Sequence, residues 1–186
     1  KQILKYTPDG TKSVFASGLD EVGPSAFDRA GNLFVTESSQ GAILKFTPDG
    51  TQSTFVSELS FPGWLACDNA GNLFATESLG DTGDILRFTP SGTKSTFASG
   101  GYFSGLVFDS VGNLFTSTAG PTNPNGVIVA YRPDGTSFAL LPTSGPGLAF
   151  DASGGLYVTG PGEIVIPALT PGPPAFSFAR GLDGPL

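Results

Sequence analysis

The side chains able to do chemistry in this 186-residue chain are carboxylates and aromatic rings, because it has no His, no Met and a single Cys, Cys67. Without imidazole, the Ser-His-Asp triad, His general acid–base catalysis and His-ligated metal sites are excluded. One thiol excludes an internal disulfide and a Cys-rich zinc site. Among the carboxylates, Glu21, Glu37, Glu77 and Asp81 could line an acidic mouth for a divalent cation such as calcium, whose ligands are oxygens. The plainer reading makes them solvated loop ends, and no cofactor is required. Trp64 and Tyr102 could stack on a sugar or peptide, with core packing as the alternative in a chain of 16 Phe. Asp28, Asp68, Asp109 and Asp151 recur in one local pattern and read as turn-forming carboxylates, with calcium binding as the lesser alternative.

What must position these residues is a scaffold without helices. The 27 Gly and 16 Pro break helices at too high a density. With 39% hydrophobic residues the chain can build a sizeable core, and its 13% charged residues fall well below the usual ~25%, which argues against disorder. A net charge of -7 gives nothing that would concentrate the positive field a nucleic-acid or anionic membrane surface requires. No apolar run approaches the ~20 residues of a membrane-spanning helix. A start at Lys1-Gln2-Ile3 without Met reads as a mature or excised segment.

Internal repeats set the architecture. Ile3-Leu4-Lys5-Tyr6-Thr7-Pro8-Asp9-Gly10 returns as Ile43-Leu44-Lys45-Phe46-Thr47-Pro48-Asp49-Gly50, as Ile85-Leu86-Arg87-Phe88-Thr89-Pro90-Ser91-Gly92, and more loosely from Ile128 to Gly135. Between these copies, Ala26-Phe27-Asp28-Arg29-Ala30-Gly31-Asn32-Leu33-Phe34 is echoed from Ala66, Val107 and Ala149. Each motif is a hairpin: a short apolar run, an Asp or Pro-Asp turn closed by Gly, and a second run. The two hairpins alternate, which gives four strands per repeat, here a to d: 25–28, 32–37, 42–47 and 52–57 in the first full unit. An antiparallel four-stranded meander at this period is a propeller blade. The expected fold is all-β, a single propeller segment with a half blade at 1–18 and blades at 22–57, 62–99, 103–141 and 145–180. About four and a half blades make an incomplete ring, so neighbouring sequence or a second molecule is expected to supply the missing strands.

The pattern Phe-Asp-x-x-Gly-Asn-Leu-Phe followed by Ile-Leu-x-Phe-Thr-Pro-Asp-Gly resembles the NHL-repeat and SMP-30/gluconolactonase-like propellers, and also the streptogramin-lyase-like ones. The resemblance implies a closed ring, usually of six blades, and in SMP-30-type hydrolases a divalent metal held by Glu, Asn and Asp. Glu21 loosely matches the Glu position. The Asn-Gly-Leu element reads Ser104-Gly105-Leu106 and the Asp-Gly element reads Gly145-Pro146-Gly147. Lyase-like activity would call on His, which this chain lacks.

The function expected from these features is a non-catalytic, secreted or cell-surface propeller acting as an assembly or recognition scaffold, with self-association through the open blade edge. The alternatives are a metal-dependent lactonase-like hydrolase using Glu21, Glu37, Glu77 or Asp81, and a sugar- or peptide-binding propeller using Trp64 and Tyr102. The expected compartment is extracellular or periplasmic. Cys67 stands where sister repeats carry Phe and reads as a small buried hydrophobe.

Overall fold

In a computed structural model that describes residues 1–120, 123–141, 145, 147–159 and 164–166, each repeat folds into its own antiparallel sheet. The first holds β1 (Gln2–Tyr6) and β2 (Lys12–Ser17). The second runs β3 (Val22–Phe27), β4 (Leu33–Glu37), β5 (Ala42–Phe46), β6 (Gln52–Val56), paired in chain order. The third repeats this with β7 (Pro62–Cys67), β8 (Leu73–Ser78), β9 (Gly83–Phe88) and β10 (Lys94–Gly101). The fourth has β11 (Phe103–Phe108), β12 (Leu114–Gly120), β13 (Asn123–Tyr131) and β14 (Ser137–Leu141). The last described sheet contains β15 (Leu148–Phe150), β16 (Leu156–Val158) and β17 (Ile164–Ile166). Apart from one turn of 3-10 helix at Ser38–Gln40, no helix occurs among the described residues. The Pro-Gly run 170–175, the fourth strand expected near 180 and the segment 178–186 lie outside them.

Period-two alternation stacks the sheets. In β4, Leu33 and Val35 join a core with Leu19, Leu44 and Phe46 on the side of the first sheet. Phe34, one residue out of phase, packs with Leu65, Leu73 and Phe88 of the third sheet. The same alternation sends Leu73 and Ala75 back to the second sheet, and Phe74 forward to Leu106 and Leu114. Phe115 in turn meets Leu156 and Val158. Phe rings meet edge to face across each junction, Phe15 on Phe46 at 5.8 Å, Phe55 on Phe88 at 6.1 Å, Phe74 on Phe108 at 5.0 Å and Phe115 on Phe150 at 5.0 Å, and within the second and third sheets Phe34 meets Phe55 at 4.9 Å and Phe74 meets Phe97 at 5.1 Å. Each such ring contributes about 1.5–3 kcal/mol through burial and about 0.5–1.5 kcal/mol more through geometry. Cys67 takes the place of Phe108 and Phe150 at the junction of the second and third sheets, partly buried against that core.

The inner strands differ from the sequence expectation in one respect. Strand a of the second sheet begins at Val22, not at Ser25, because Gly23 and Pro24 belong to a β-bulge. Val22 opposes Glu37 while Ser25 opposes Val35, so three steps on β3 face two on β4. The bulge tolerates Pro24, which has no N–H to donate. Equivalent bulges fall between Pro62 and Leu65 and between Ser104 and Leu106.

The repeated Asp residues close the a–b hairpins. Asp68 Oδ1 accepts the Asn72 and Ala70 N–H groups at 2.8 and 2.9 Å, and Oδ2 accepts Asn72 Nδ2 at 2.7 Å. Asp28 with Asn32 and Asp109 with Asn113 repeat the arrangement. Asp151, facing Gly155 in place of Asn, recruits the Ser153 and Tyr157 hydroxyls instead.

Candidate functional site

The d–a and b–c connections share one end of the sheets, and between the third and fourth sheets they flank an open cavity of about 580 Å³. That is within the ~300–1,000 Å³ range of small-molecule sites. Four aromatic residues line it: Phe61 and Trp64 from the start of the third sheet, Tyr102 and Phe103 from the start of the fourth. The two aromatic residues singled out by sequence, Trp64 and Tyr102, are therefore brought together.

Local backbone chemistry puts them there. Trp64 sits in the β7 bulge, a device that re-aims a side chain, and its N–H donates to Thr76 Oγ1 at 2.8 Å. A Cβ on Gly63 would come within 2.7 Å of that hydroxyl, so only Gly lets β8 approach the bulge this closely. Trp64 also packs against the core of Phe74, Ile85 and Leu106, so its packing and cavity-lining roles coexist. One residue, Tyr102, connects β10 to β11 and is 36% exposed. Phe103 lies over Gly101, where a Cβ would come within 2.6 Å of the ring. Phe61 is 73% exposed and has φ +45°, a left-handed conformation that a bulky side chain adopts at a cost.

The carboxylates are arranged differently from the metal reading. Glu77, 8% exposed, lines the cavity, but its Oε1 accepts the Ser60 N–H at 2.7 Å and Lys94 Nζ stands 3.8 Å from Oε2. Glu37, at the equivalent position one sheet earlier, accepts the Asp20 N–H at 3.3 Å. Both therefore tie a d–a loop to strand b. Glu21 is exposed, and its backbone carbonyl accepts the Ser38 N–H at 3.3 Å. Asp81 is exposed in the β8–β9 connection, beside the Leu79 N–H bond to the Thr82 carbonyl at 2.8 Å. Among the described residues no three His, Cys, Asp or Glu side chains gather to hold a metal ion. The described donors thus do not fit the metal centre implied by the SMP-30 resemblance.

Sequence reasoning missed Phe61 and Phe103 as cavity residues. The signal was a matched loop offset: Phe61 and Tyr102 each stand immediately before an inner strand, where the preceding sheet has Glu21.

The stack of four-stranded meanders is shared with solved structures. A gluconolactonase from Xanthomonas campestris matches with a TM-score of 0.73 and 20% identity over 90% of this chain and 66% of that one. The fold is that of a β-propeller. Virginiamycin B lyase from Staphylococcus aureus matches with a TM-score of 0.64 and 16% identity, over 92% of this chain and 64% of its own. The PQQ-bound aldose sugar dehydrogenase from Streptomyces coelicolor gives 0.62 and 18%, over 85% and 60%. Identities this low are a likeness of fold, and the chain spans 60–66% of the length of these proteins, less than two thirds. No family model matches the sequence, and no curated protein matches it.

Proposed function

We propose that this chain belongs to an enzyme-class propeller acting on a small ring compound of the sugar or sugar-lactone kind, and that the cavity walled by Phe61, Trp64, Tyr102 and Phe103 seats the ring. The observation that carries this reading is the convergence of Trp64 and Tyr102, 38 positions apart in sequence and on successive sheets, in one ligand-sized cavity. Flat aromatic faces pack against the C–H faces of a pyranose or lactone ring and need no charge to do so. Support comes from the fold neighbours described as a gluconolactonase and an aldose sugar dehydrogenase, which favour the enzyme-class alternative over the assembly scaffold. Among the described residues the carboxylates gather no metal centre, and the proposal names no metal ion.

Trp64 is the only Trp in the chain, so indole fluorescence comes from this one residue at the cavity wall. Titrating the protein with D-glucono-1,5-lactone and D-glucose should change Trp64 emission saturably, with lactone consumption above the spontaneous rate. An unresponsive Trp64 together with concentration-dependent assembly in sedimentation would overturn this reading and return the scaffold.

A further inference from the structure

We infer that Glu77 is a positioning residue of this cavity: together with Ser38 it holds Phe61 in a strained backbone conformation that keeps it on the cavity wall before any ligand arrives; this rests on the ring-binding reading above. Glu58 and Phe61 are the only non-Gly residues with positive φ among those described, and both lie in the loop that leads into β7. At Phe61 the cost is compounded, because Pro62 follows and a residue before Pro is pushed toward extended backbone. A side chain 73% exposed gains little burial to offset that cost. Phe61 therefore keeps φ +45° because its neighbours are held from outside.

Side chains hold them on both flanks. The Ser60 N–H donates to Glu77 Oε1 at 2.7 Å, and Ser38 Oγ donates to the Pro62 carbonyl at 2.9 Å. Between these bonds the Ser78 N–H is shared by the Ser60 and Phe61 carbonyls, at 3.1 and 3.4 Å. Glu77 is buried, and its second oxygen has Lys94 Nζ at 3.8 Å, so the carboxylate is committed to the loop. The preceding sheet carries the same brace with a longer grip: Glu37 accepts the Asp20 N–H at 3.3 Å, and the residue that follows, Glu21, has no left-handed backbone. There the brace orders a loop, whereas in the third sheet it fixes an aromatic residue that lines the cavity. A wall already in place spares binding the cost of ordering it. Once released, Phe61 relaxes toward the extended backbone that Pro62 favours, and the cavity loses that wall.

The test is a double-mutant cycle on Glu77 and Phe61, read by Trp64 emission with D-glucono-1,5-lactone and D-glucose and by amide exchange of Ser78. Glu77→Leu should weaken the ring compound about as much as Phe61→Ala, roughly five- to tenfold, and the double variant should be no weaker than either single one. Glu77→Gln, whose amide oxygen still accepts the Ser60 N–H, should restore most of what Leu loses, and Lys94→Ala should bind as the unaltered protein does. Ser78 should exchange at least tenfold faster in Glu77→Leu and at the unaltered rate in Lys94→Ala. Losses that multiply in the double variant overturn the inference, since Glu77 then acts independently of Phe61. Unaltered Ser78 exchange in Glu77→Leu also overturns it, whether or not a ring compound binds. A wild-type Trp64 signal that answers to neither compound overturns the ring reading and the ligand half of this inference, while faster Ser78 exchange in Glu77→Leu still supports Glu77 as the brace.

Discussion

Replacing Asp68 with Ala separates the two roles that a repeated carboxylate can play in this chain. In the structure Asp68 accepts three hydrogen bonds within its own hairpin, from Ala70 N, Asn72 N and Asn72 Nδ2. Bonds to an ionised acceptor contribute about 1.5–3 kcal/mol each when measured singly, and water replaces those nearest the surface. The Asn72 side chain is different: it is 5% exposed, and its amide loses the partner it has at 2.7 Å. Leaving a buried amide unsatisfied costs about 1–3 kcal/mol. A net loss of about 3 kcal/mol follows, which for a domain of this size lowers Tm by roughly 6–12 °C. Urea and thermal unfolding of Asp68→Ala beside the unaltered protein, each with calcium and with EDTA, provide the assay. The expected loss is the same in both media. An unaltered midpoint would refute the hairpin argument, and a wild-type protein that EDTA lowers to the level of the variant would show that the carboxylate serves calcium.

Three further outcomes follow from single residues. Glu58 has φ +63° where the neighbouring d–a loops place Gly18 and Gly100, also at positive φ, so Glu58→Gly should stabilise the fold by about 0.5–1 kcal/mol in urea titration; a destabilised variant contradicts this. Hydrogen bonds from Thr hydroxyls and backbone amides hold Asp9, Asp49 and Asp134 below the usual carboxylate range, and the Ser153 hydroxyl followed by the Gly155 amide brings Asp151 to about 2. Depressed values in the folded state mean that stability is fully present above about pH 4, the unfolded value, and is lost as pH falls toward 2. Tm against pH should therefore be flat near neutrality and drop in that window, less steeply in Asp151→Ala; a variant with the wild-type slope removes Asp151 from the effect. Burial, ahead of the nearby Asp28 and Asp68 charges, pushes the Cys67 thiol up to about 12, so it should resist alkylation in the folded protein at mildly alkaline pH and react on unfolding. Rapid stoichiometric labelling of the native protein contradicts that placement.

The architecture was legible because it rests on local signals repeated several times. Pro-Asp-Gly and Asp-x-x-Gly-Asn fix hairpins within a few residues, and the alternation of Leu33, Phe34 and Val35 already states which faces are covered. The inner strands were harder to bound, since Gly23-Pro24 reads as a loop when taken locally and becomes a bulge only through pairing with β4. The site was half legible. Trp64 and Tyr102 stand out by residue type, but their meeting depends on stacking one sheet on the next. Glu37 and Glu77 share a repeat position because both brace a d–a loop through a backbone N–H, at Asp20 and Ser60, a role that residue type alone does not show. Repetition in a propeller marks what every blade needs, and the irregular residues at the loop end are where a ligand site has to be sought.

Tyr102→Ala, followed through Trp64 emission, tests the cavity most directly. Tyr102 is 36% exposed and forms the whole β10–β11 connection. Its truncation should leave the unfolding midpoint within the spread of surface substitutions, about 0.5 kcal/mol. Losing one stacking wall should weaken the ring compound that saturates the wild-type signal by about tenfold or more. The expected combination is weakened binding with unaltered stability. Wild-type affinity in Tyr102→Ala contradicts it and removes the cavity between the third and fourth sheets as the ligand site.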